Sequence, residues 1–419
     1  MQKLVIKGGT ALEGEIPLRG AKNSALPLMA ATLLCKGETV LENCPRLTDV
    51  FSACRILTHT GCRCAMKEHT VVVCADSIKL SEIPESMMQE MRSSIVFLGA
   101  LLGKTGSCRV YYPGGCELGP RPIDLHIEAL CRMGARIERC EGRLDCYAPE
   151  GLSGCNIHLK FPSVGATENV MLAAVLAKGE TVISNAAREP EICDLAEFLR
   201  KCGALIKGDG ESTIRIKGVK ELRGCTHRIM PDRIAGITYL SAVAVTGGKL
   251  KLLGAKDARM DNVLPVLEQA GCRIDKADDA MYLCAPKRLR AVSRLRTMPH
   301  PGFPTDVQAI IMALMTVAKG VSVFEENIFE CRYRHVDGLV QMGAEIYVSG
   351  RIAVVNGVNR LCGAHVAATD LRGGAALVIA GLAAEGTTEV RQVHHIDRGY
   401  ETIEKTLEGV GANILRISQ

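Results

Sequence analysis

Three sets of polar residues in this chain have the type and spacing to do chemistry. The first is a thiol. Cys116 sits in the loop YPGGCELGPRPID, Tyr112 to Asp124, where three glycines and three prolines surround it and Arg121 follows five residues on. A nearby cation lowers a thiol's pKa and favours the thiolate, which makes Cys116 a candidate acid or nucleophile. The competing reading is inert packing, the commoner role of a cysteine taken at random. The second set comprises Lys22, Arg92, Ser163, Asp232, Asp306 and Arg372, which lie 39, 42, 40, 39, 37 and 39 residues before Gly61, Gly134, Gly203, Gly271, Gly343 and Gly411. Each opens an apolar helix, whose first N–H groups are unpaired and whose dipole puts positive charge at that end, so each start is a ready anion site. The third set is Arg121, Arg332 and Arg398, placed 13, 11 and 13 residues before Gly134, Gly343 and Gly411, at the turn before a second helix. One such arginine alone reads equally well as a solvated surface charge. This many on matching turns point to a small ligand with several negative charges.

Asp306, in PHPGFPTDVQ, is either a helix N-cap or, beside a group that must lose a proton, a general base. His300, His394 and His395 lack the HExxH type of spacing, so no metal site is expected, nor any other cofactor.

The elements that must position these groups repeat six times. The stretches HTGCRC, RMGARI, KCGALI, QAGCRI, QMGAEI and GVGANI each end a helix on glycine and start a strand, at spacings of 73, 69, 68, 72 and 68 residues. Each unit reads βαβαββ: an apolar, buried first helix, a strand, an amphipathic second helix and a hairpin. In unit three Ile192, Leu195, Ala196 and Leu199 share one helix face, and Gly208 to Gly210 (GDG) turn the hairpin. The expected fold is α/β (α+β), six βαβαββ repeats in two domains, three repeats per domain. The expected domains are 22–230, carrying the Cys116 loop, and 1–21 with 231–419, with the active site in the cleft between them.

Composition removes several function classes. With 419 residues, 47% hydrophobic and 23% charged, the chain can bury more than one core. An aromatic share of 4% without Trp argues against base stacking, and a net charge of +5 is too mild for a phosphate-backbone binder, so no nucleic-acid partner is expected. The 19 cysteines, scattered as singles, suit a reducing cytosol; Cys62 and Cys64, in a strand-like run, read as sheet packing. No apolar run approaches a membrane span, and MQKLVIKGGT lacks a signal-peptide core, so the expectation is a cytoplasmic protein with no membrane partner.

The motifs GAKNSALP from Gly20, MRSSI from Met91, PGGCELGPRPIDLHI from Pro113, PSVGATEN from Pro162, NAAREPEI from Asn185, PHPGFPTD from Pro299, TDLRGGAAL from Thr369 and HIDRGYE ending at Glu401 run through the chain in order. In these the chain resembles the UDP-N-acetylglucosamine 1-carboxyvinyltransferases, the enolpyruvyl transferases that open peptidoglycan synthesis. The resemblance implies two inverse α/β domains with threefold pseudosymmetry. It also implies transfer of the enolpyruvyl group of phosphoenolpyruvate to the 3-hydroxyl of UDP-N-acetylglucosamine, with release of phosphate. By matching motifs, Lys22 and Asn23 would hold phosphoenolpyruvate, with Arg121 and Arg398 on its charged groups. Cys116 corresponds to the loop cysteine that protonates C3 and reacts with the inhibitor fosfomycin, on a lid over the site. Asp306 corresponds to the base near the sugar hydroxyl. Arg92, Arg121, Pro122, Ile123, Asp124, Leu125, Ser163, Val164, Gly165 and Ile328 match positions lining the UDP-sugar. Asp370 and Arg372 match a pair that assists closure or phosphate handling, and Arg332 joins the substrate-binding arginines by its place in the repeat. One departure stands out: where some members carry a lysine two residues before the serine of SVGAT, this chain has Phe161, with Lys160 one residue further back. The rival readings are 5-enolpyruvylshikimate-3-phosphate synthase and a catalytically silent UDP-sugar-binding paralogue.

Overall fold

All six landmark glycines have a left-handed backbone, with φ from 91° at Gly343 to 108° at Gly203. Any residue with a Cβ is strained there, which is why glycine recurs at the point where each outer helix turns into a strand. The computed structural model describes residues 2–114 and 122–418.

Six helices form the interior: Lys22–Ala31, Val96–Thr105, Val164–Ala174, Arg233–Val245, Thr305–Met315 and Leu371–Ala383. They are apolar on nearly every side, and almost all of their residues are buried, as helices enclosed by other elements must be. Each fully buried leucine or isoleucine contributes about 1.5–3 kcal/mol. Outer helices are amphipathic; in Pro190–Lys201, Ile192, Leu195, Ala196 and Leu199 face inward.

A sheet closes each repeat. In the third, Asn156–His158 runs parallel to Glu180–Ser184, which pairs antiparallel with Thr213–Lys217, and that strand pairs with Leu205–Lys207 across the Gly208 and Gly210 turn. The register sets buried Ile183 opposite buried Ile214, so alternate residues line the core. The second repeat departs from this pattern. Among the described residues its sheet has three strands, and the parallel strand shrinks to a single bridge, Glu82 to Arg109. Pro84 follows at once and begins the short helix Glu85–Glu90, which takes the chain out of the sheet.

Several sheets take a strand from a distant part of the chain; Glu13–Pro17, for one, lies parallel to Lys249–Leu253. Thr226–Arg228 lies parallel to Glu38–Glu42, and the N-terminal Gln2–Lys7 lies between Thr387–Arg391 and Asn413–Ser418, antiparallel to both. The described residues form two compact units, each with its own apolar core: residues 2–19 with 231–418, and residues 20–114 with 122–230. Among the described residues no helix is long and apolar enough to cross a membrane, and none of the described cysteines is in a disulfide.

Candidate active site

In the unit formed by both chain ends, three core helices begin around one arginine. Asp370 caps Leu371–Ala383, its Oδ1 accepting from the backbone N–H of Arg372 and Gly373, each at 3.0 Å. Asp232 caps Arg233–Val245 in the same way, accepting from Ile234 and Ala235 at 2.9 Å. Thr305–Met315 differs, because its N-cap is Pro304 and no side chain caps it. Asp306, in that first turn, is therefore not the cap that the sequence leaves open. Its carboxylate lies between two guanidinium groups, Oδ1 accepting from Arg332 at 3.1 Å and Oδ2 from Arg372 at 3.4 Å.

Both arginines are almost fully buried, whereas the Asp306 side chain is 30% exposed. Arg332 also donates through Nε and Nη2 to the Thr305 carbonyl, at 3.2 and 3.0 Å, which fixes it to the helix start. Arg372 donates to the Tyr400 hydroxyl at 3.1 Å, and Tyr400 in turn meets Thr238 at 2.9 Å. Burial opposes the Arg372 charge, but Tyr400, Asp306 and Asp232 outweigh it and hold the group more firmly protonated than a free arginine. Burial raises the Tyr400 pKa, with Arg372 acting against it.

Beside this network, His335 has its pKa pulled to about 4, by burial first; Asp370 opposes the shift and the Arg332 charge adds to it. Its Nδ1 donates to the Arg332 carbonyl at 3.2 Å. Ile328 is half-buried, in a turn whose N–H groups at Ile328 and Phe329 donate to Glu326 at 2.9 and 3.0 Å. The other oxygen of Glu326 accepts from Thr305, so the Ile328 turn is tied to the helix start that carries Asp306. Arg398, half-buried, ends the 3-10 turn Val393–Arg398.

In the other unit the polar residues form two groups. Lys22 opens its core helix, and its buried ammonium pairs with Asp49 at 2.7 Å; Asn23 beside it is exposed. The second group centres on His126. Asn169 donates from one amide group to His126 Nδ1 at 2.7 Å and to the Ile95 carbonyl at 3.0 Å, while its Oδ1 accepts from Gly99 N at 2.6 Å. Two core helices and the outer helix Asp124–Arg132 are thus joined by one side chain. Because Nδ1 accepts, the proton is on Nε2 and the ring is neutral. Burial, and then the charge of half-buried Arg92, pull its pKa to about 4.

Ser163 caps Val164–Ala174, its hydroxyl accepting from Ala166 N at 3.3 Å. Val164 and Gly165 are half-buried, and a Cβ added at Gly165 would approach the His126 ring to 3.1 Å. Ile123 is buried, Leu125 half-buried and Pro122 exposed; Asp124 is exposed and accepts from Arg139 at 3.4 Å. Lys160, largely exposed, pairs with Glu128 at 3.2 Å, next to exposed Phe161. Cys116 and Arg121 lie outside the described residues, as does most of the loop expected to form a lid.

Sequence reasoning missed Asp49, His126, Asn169, Glu326, His335 and Tyr400. His126, Asn169 and Tyr400 stand inside the family motifs, and that is the signal that could have found them.

Comparison with known proteins agrees with this architecture. The family model for EPSP synthase (3-phosphoshikimate 1-carboxyvinyltransferase) matches residues 6–407. The chain is 49% identical over 417 residues to UDP-N-acetylglucosamine 1-carboxyvinyltransferase 2 of Caldanaerobacter subterraneus subsp. tengcongensis, covering 100% of both chains. It is 46% identical over 419 residues to UDP-N-acetylglucosamine 1-carboxyvinyltransferase of Trichlorobacter lovleyi, again covering 100% of each. Among solved structures, the enolpyruvyl transferase NikO from Streptomyces tendae superposes with a TM-score of 0.90 at 24% identity, covering 99% of this chain and 98% of that one. EPSP synthase from Acinetobacter baumannii superposes with a TM-score of 0.78 at 17% identity, covering 100% of both. These two structural likenesses bear out the two-domain α/β fold.

Proposed function

The chain belongs to the EPSP synthase family of enolpyruvyl transferases, and on that premise we propose that it moves the enolpyruvyl group of phosphoenolpyruvate to the 3-hydroxyl of UDP-N-acetylglucosamine. Phosphate is released, and the product enters peptidoglycan synthesis at its first committed step, in the cytosol. The observation that carries the choice of acceptor is the end-to-end identity of 46–49% with relatives named for UDP-N-acetylglucosamine, against 17% with EPSP synthase.

The reaction needs one proton delivered and one removed. The sugar oxygen bonds to C2 of the enol ether while C3 gains a proton and becomes a methyl group. The hydroxyl proton passes to a base. In the second half C3 gives up a proton and the C2–O bond to phosphate breaks. Cys116 is assigned the acid and Asp306 the base. Asp306 is suited to that role by being the part-exposed member of an otherwise buried set: one of its oxygens can exchange an arginine for the sugar hydroxyl while the other stays anchored. Arg332 acts through Asp306 and not on substrate, since its guanidinium is buried against Thr305 and Asp306.

Lys22, Asn23, Arg121 and Arg398 are assigned to the phosphate and carboxylate of phosphoenolpyruvate, where fixed cations stabilise the tetrahedral intermediate, which keeps both anionic groups. Arg92, Pro122 to Leu125, Ser163 to Gly165 and Ile328 are assigned to the UDP-sugar, and Asp370 with Arg372 to the departing phosphate.

Phosphate release from purified protein tests the reading. It is expected only when phosphoenolpyruvate and UDP-N-acetylglucosamine are both present, and not with shikimate 3-phosphate. Release with shikimate 3-phosphate, or none with either acceptor, overturns it. Fosfomycin should label Cys116, and faster with UDP-N-acetylglucosamine present; a label on another cysteine removes Cys116 from its role.

A further inference from the structure

The helix start that carries Lys22 and Asn23 has no capping side chain, because its N-cap is Ala21. Another device holds it. Ser24 is fully buried and donates its hydroxyl to Asp194 Oδ2, on the outer helix Pro190–Lys201. The same oxygen accepts from Met230 N at 3.3 Å, and the Met230 carbonyl accepts from Ala21 N at 2.8 Å. Ala21 and Ser24, the residues on either side of Lys22 and Asn23, are thus anchored on one carboxylate, directly at Ser24 and through Met230 at Ala21.

Asp194 is itself oriented. His227 Nε2 lies 2.9 Å from its Oδ1, and Lys201 Nζ lies 3.2 Å from His227 Nδ1. An ammonium only donates, so Nδ1 accepts and Nε2 carries the proton given to Asp194. The Phe198 ring, edge-on at 5.6 Å, packs against the imidazole. The carboxylate lies between the serine and the histidine, and all three side chains are buried. A nucleophile relay needs the histidine in the middle, so this group is not one.

We propose that Asp194, oriented by His227, is a positioning residue for enolpyruvyl transfer. It sets the backbone from which Lys22 and Asn23 reach phosphoenolpyruvate, and it acts through Ser24 and Met230. A misplacement of about 1 Å in a binding group costs on the order of 100-fold in rate, so a hydrogen bond two residues from Lys22 has leverage on the reaction. The inference rests on reading Lys22 and Asn23 as phosphoenolpyruvate ligands.

The test is steady-state kinetics on the full chain, with both substrates varied, alongside thermal unfolding. Ser24→Ala is expected to raise KM for phosphoenolpyruvate about tenfold and leave KM for UDP-N-acetylglucosamine within twofold. His227→Leu should move the same constant in the same direction by about threefold. His227→Gln, which keeps an N–H toward Asp194, should stay near the parent. A merely structural role would lower the melting temperature or the active fraction and leave the phosphoenolpyruvate KM alone; that outcome, or an equal rise in both constants, overturns the proposal. If Ser24→Ala does not accumulate as folded protein, the two His227 variants decide the question in its place. Lys22→Ala separates the two levels. If it leaves the phosphoenolpyruvate KM unchanged, the ligand reading fails and the inference with it; if it raises KM while Ser24→Ala does not, only the inference fails.

Discussion

The groups around Asp306 and the groups around His126 solve the same problem with opposite chemistry. Asp306, Arg332, Asp370 and Arg372 hold one another through charge, and the two arginines are buried. His126 and Asn169 are neutral, and the cation that acts on them, Arg92, stays half-buried. An ion-paired set is stiff but unforgiving, since removing one partner leaves an uncompensated charge and costs about 3–5 kcal/mol. A neutral set loses about 1–3 kcal/mol when one partner goes. With the proposed roles, this is a division of labour: proton chemistry would sit where fixed charges hold the reacting group, and shape recognition where neutral hydrogen bonds hold the walls.

The largest expected effect is at Asp306. Asp306→Asn keeps the size of the side chain but removes the base, and kcat should fall about 10²–10⁴-fold while UDP-N-acetylglucosamine still binds, as calorimetry would show. Near-normal turnover would reduce the charged set to a structural one. Next comes Arg372→Met, which leaves Tyr400 and Asp306 short of a partner. Stability should drop by about 3 kcal/mol in urea unfolding, the low end for a buried pair because Asp306 is part exposed. Smaller again is His126→Leu, which strands one N–H of Asn169 and should cost about 1–2 kcal/mol in the same assay. If His126→Leu costs more than Arg372→Met, the contrast between the two sets is wrong.

The smallest effect is a pH dependence common to both units. His126 and His335 each have a folded pKa near 4 against an ordinary 6.5. Between those values the unfolded chain binds the extra proton, so stability is full above pH 6.5 and is lost as pH falls toward 4. Each histidine should account for on the order of 1 kcal/mol between pH 7 and 5. Glu168 works in the other sense, because burial, with Glu191 and Glu189 adding, raises its pKa. The histidine term is therefore read as the difference between parent and His126→Gln or His335→Gln across the pH series. Curves that stay parallel would show that the imidazoles do not titrate in this window.

The fold is legible because glycine, apolar helix and polar helix start recur at a nearly constant period, and each recurrence has a local cause. The left-handed φ at Gly61 and its five counterparts is set by the chain next to it. The same locality puts Lys22, Ser163 and Asp370 at helix starts. Pairing is another matter. Nothing within reach of Asp306 along the chain announces that Arg332 and Arg372 will hold it, and Asp194 meets Ser24 from 170 residues away. Arg332 reads by its turn as one of the substrate-binding arginines, and that it is buried against the Thr305 carbonyl could not be read there, because Thr305 belongs to a different element. The missing parallel strand of the second repeat is equally hidden, since it depends on where Pro84 sends the chain.

The strand Gln2–Lys7 has to wait for its neighbours. It pairs with Thr387–Arg391 and Asn413–Ser418, which emerge much later, whereas the described residues of the other unit all fall between 20 and 230. At about 5–20 residues per second, roughly 20–80 s separate the emergence of this strand from that of its partners. For that time its apolar side chains, Leu4 and Ile6 among them, have no sheet to enter. On the ribosome the inserted unit can fold first, and the unit bearing Asp306 closes only when Thr387–Arg391 and Asn413–Ser418 reach Gln2–Lys7.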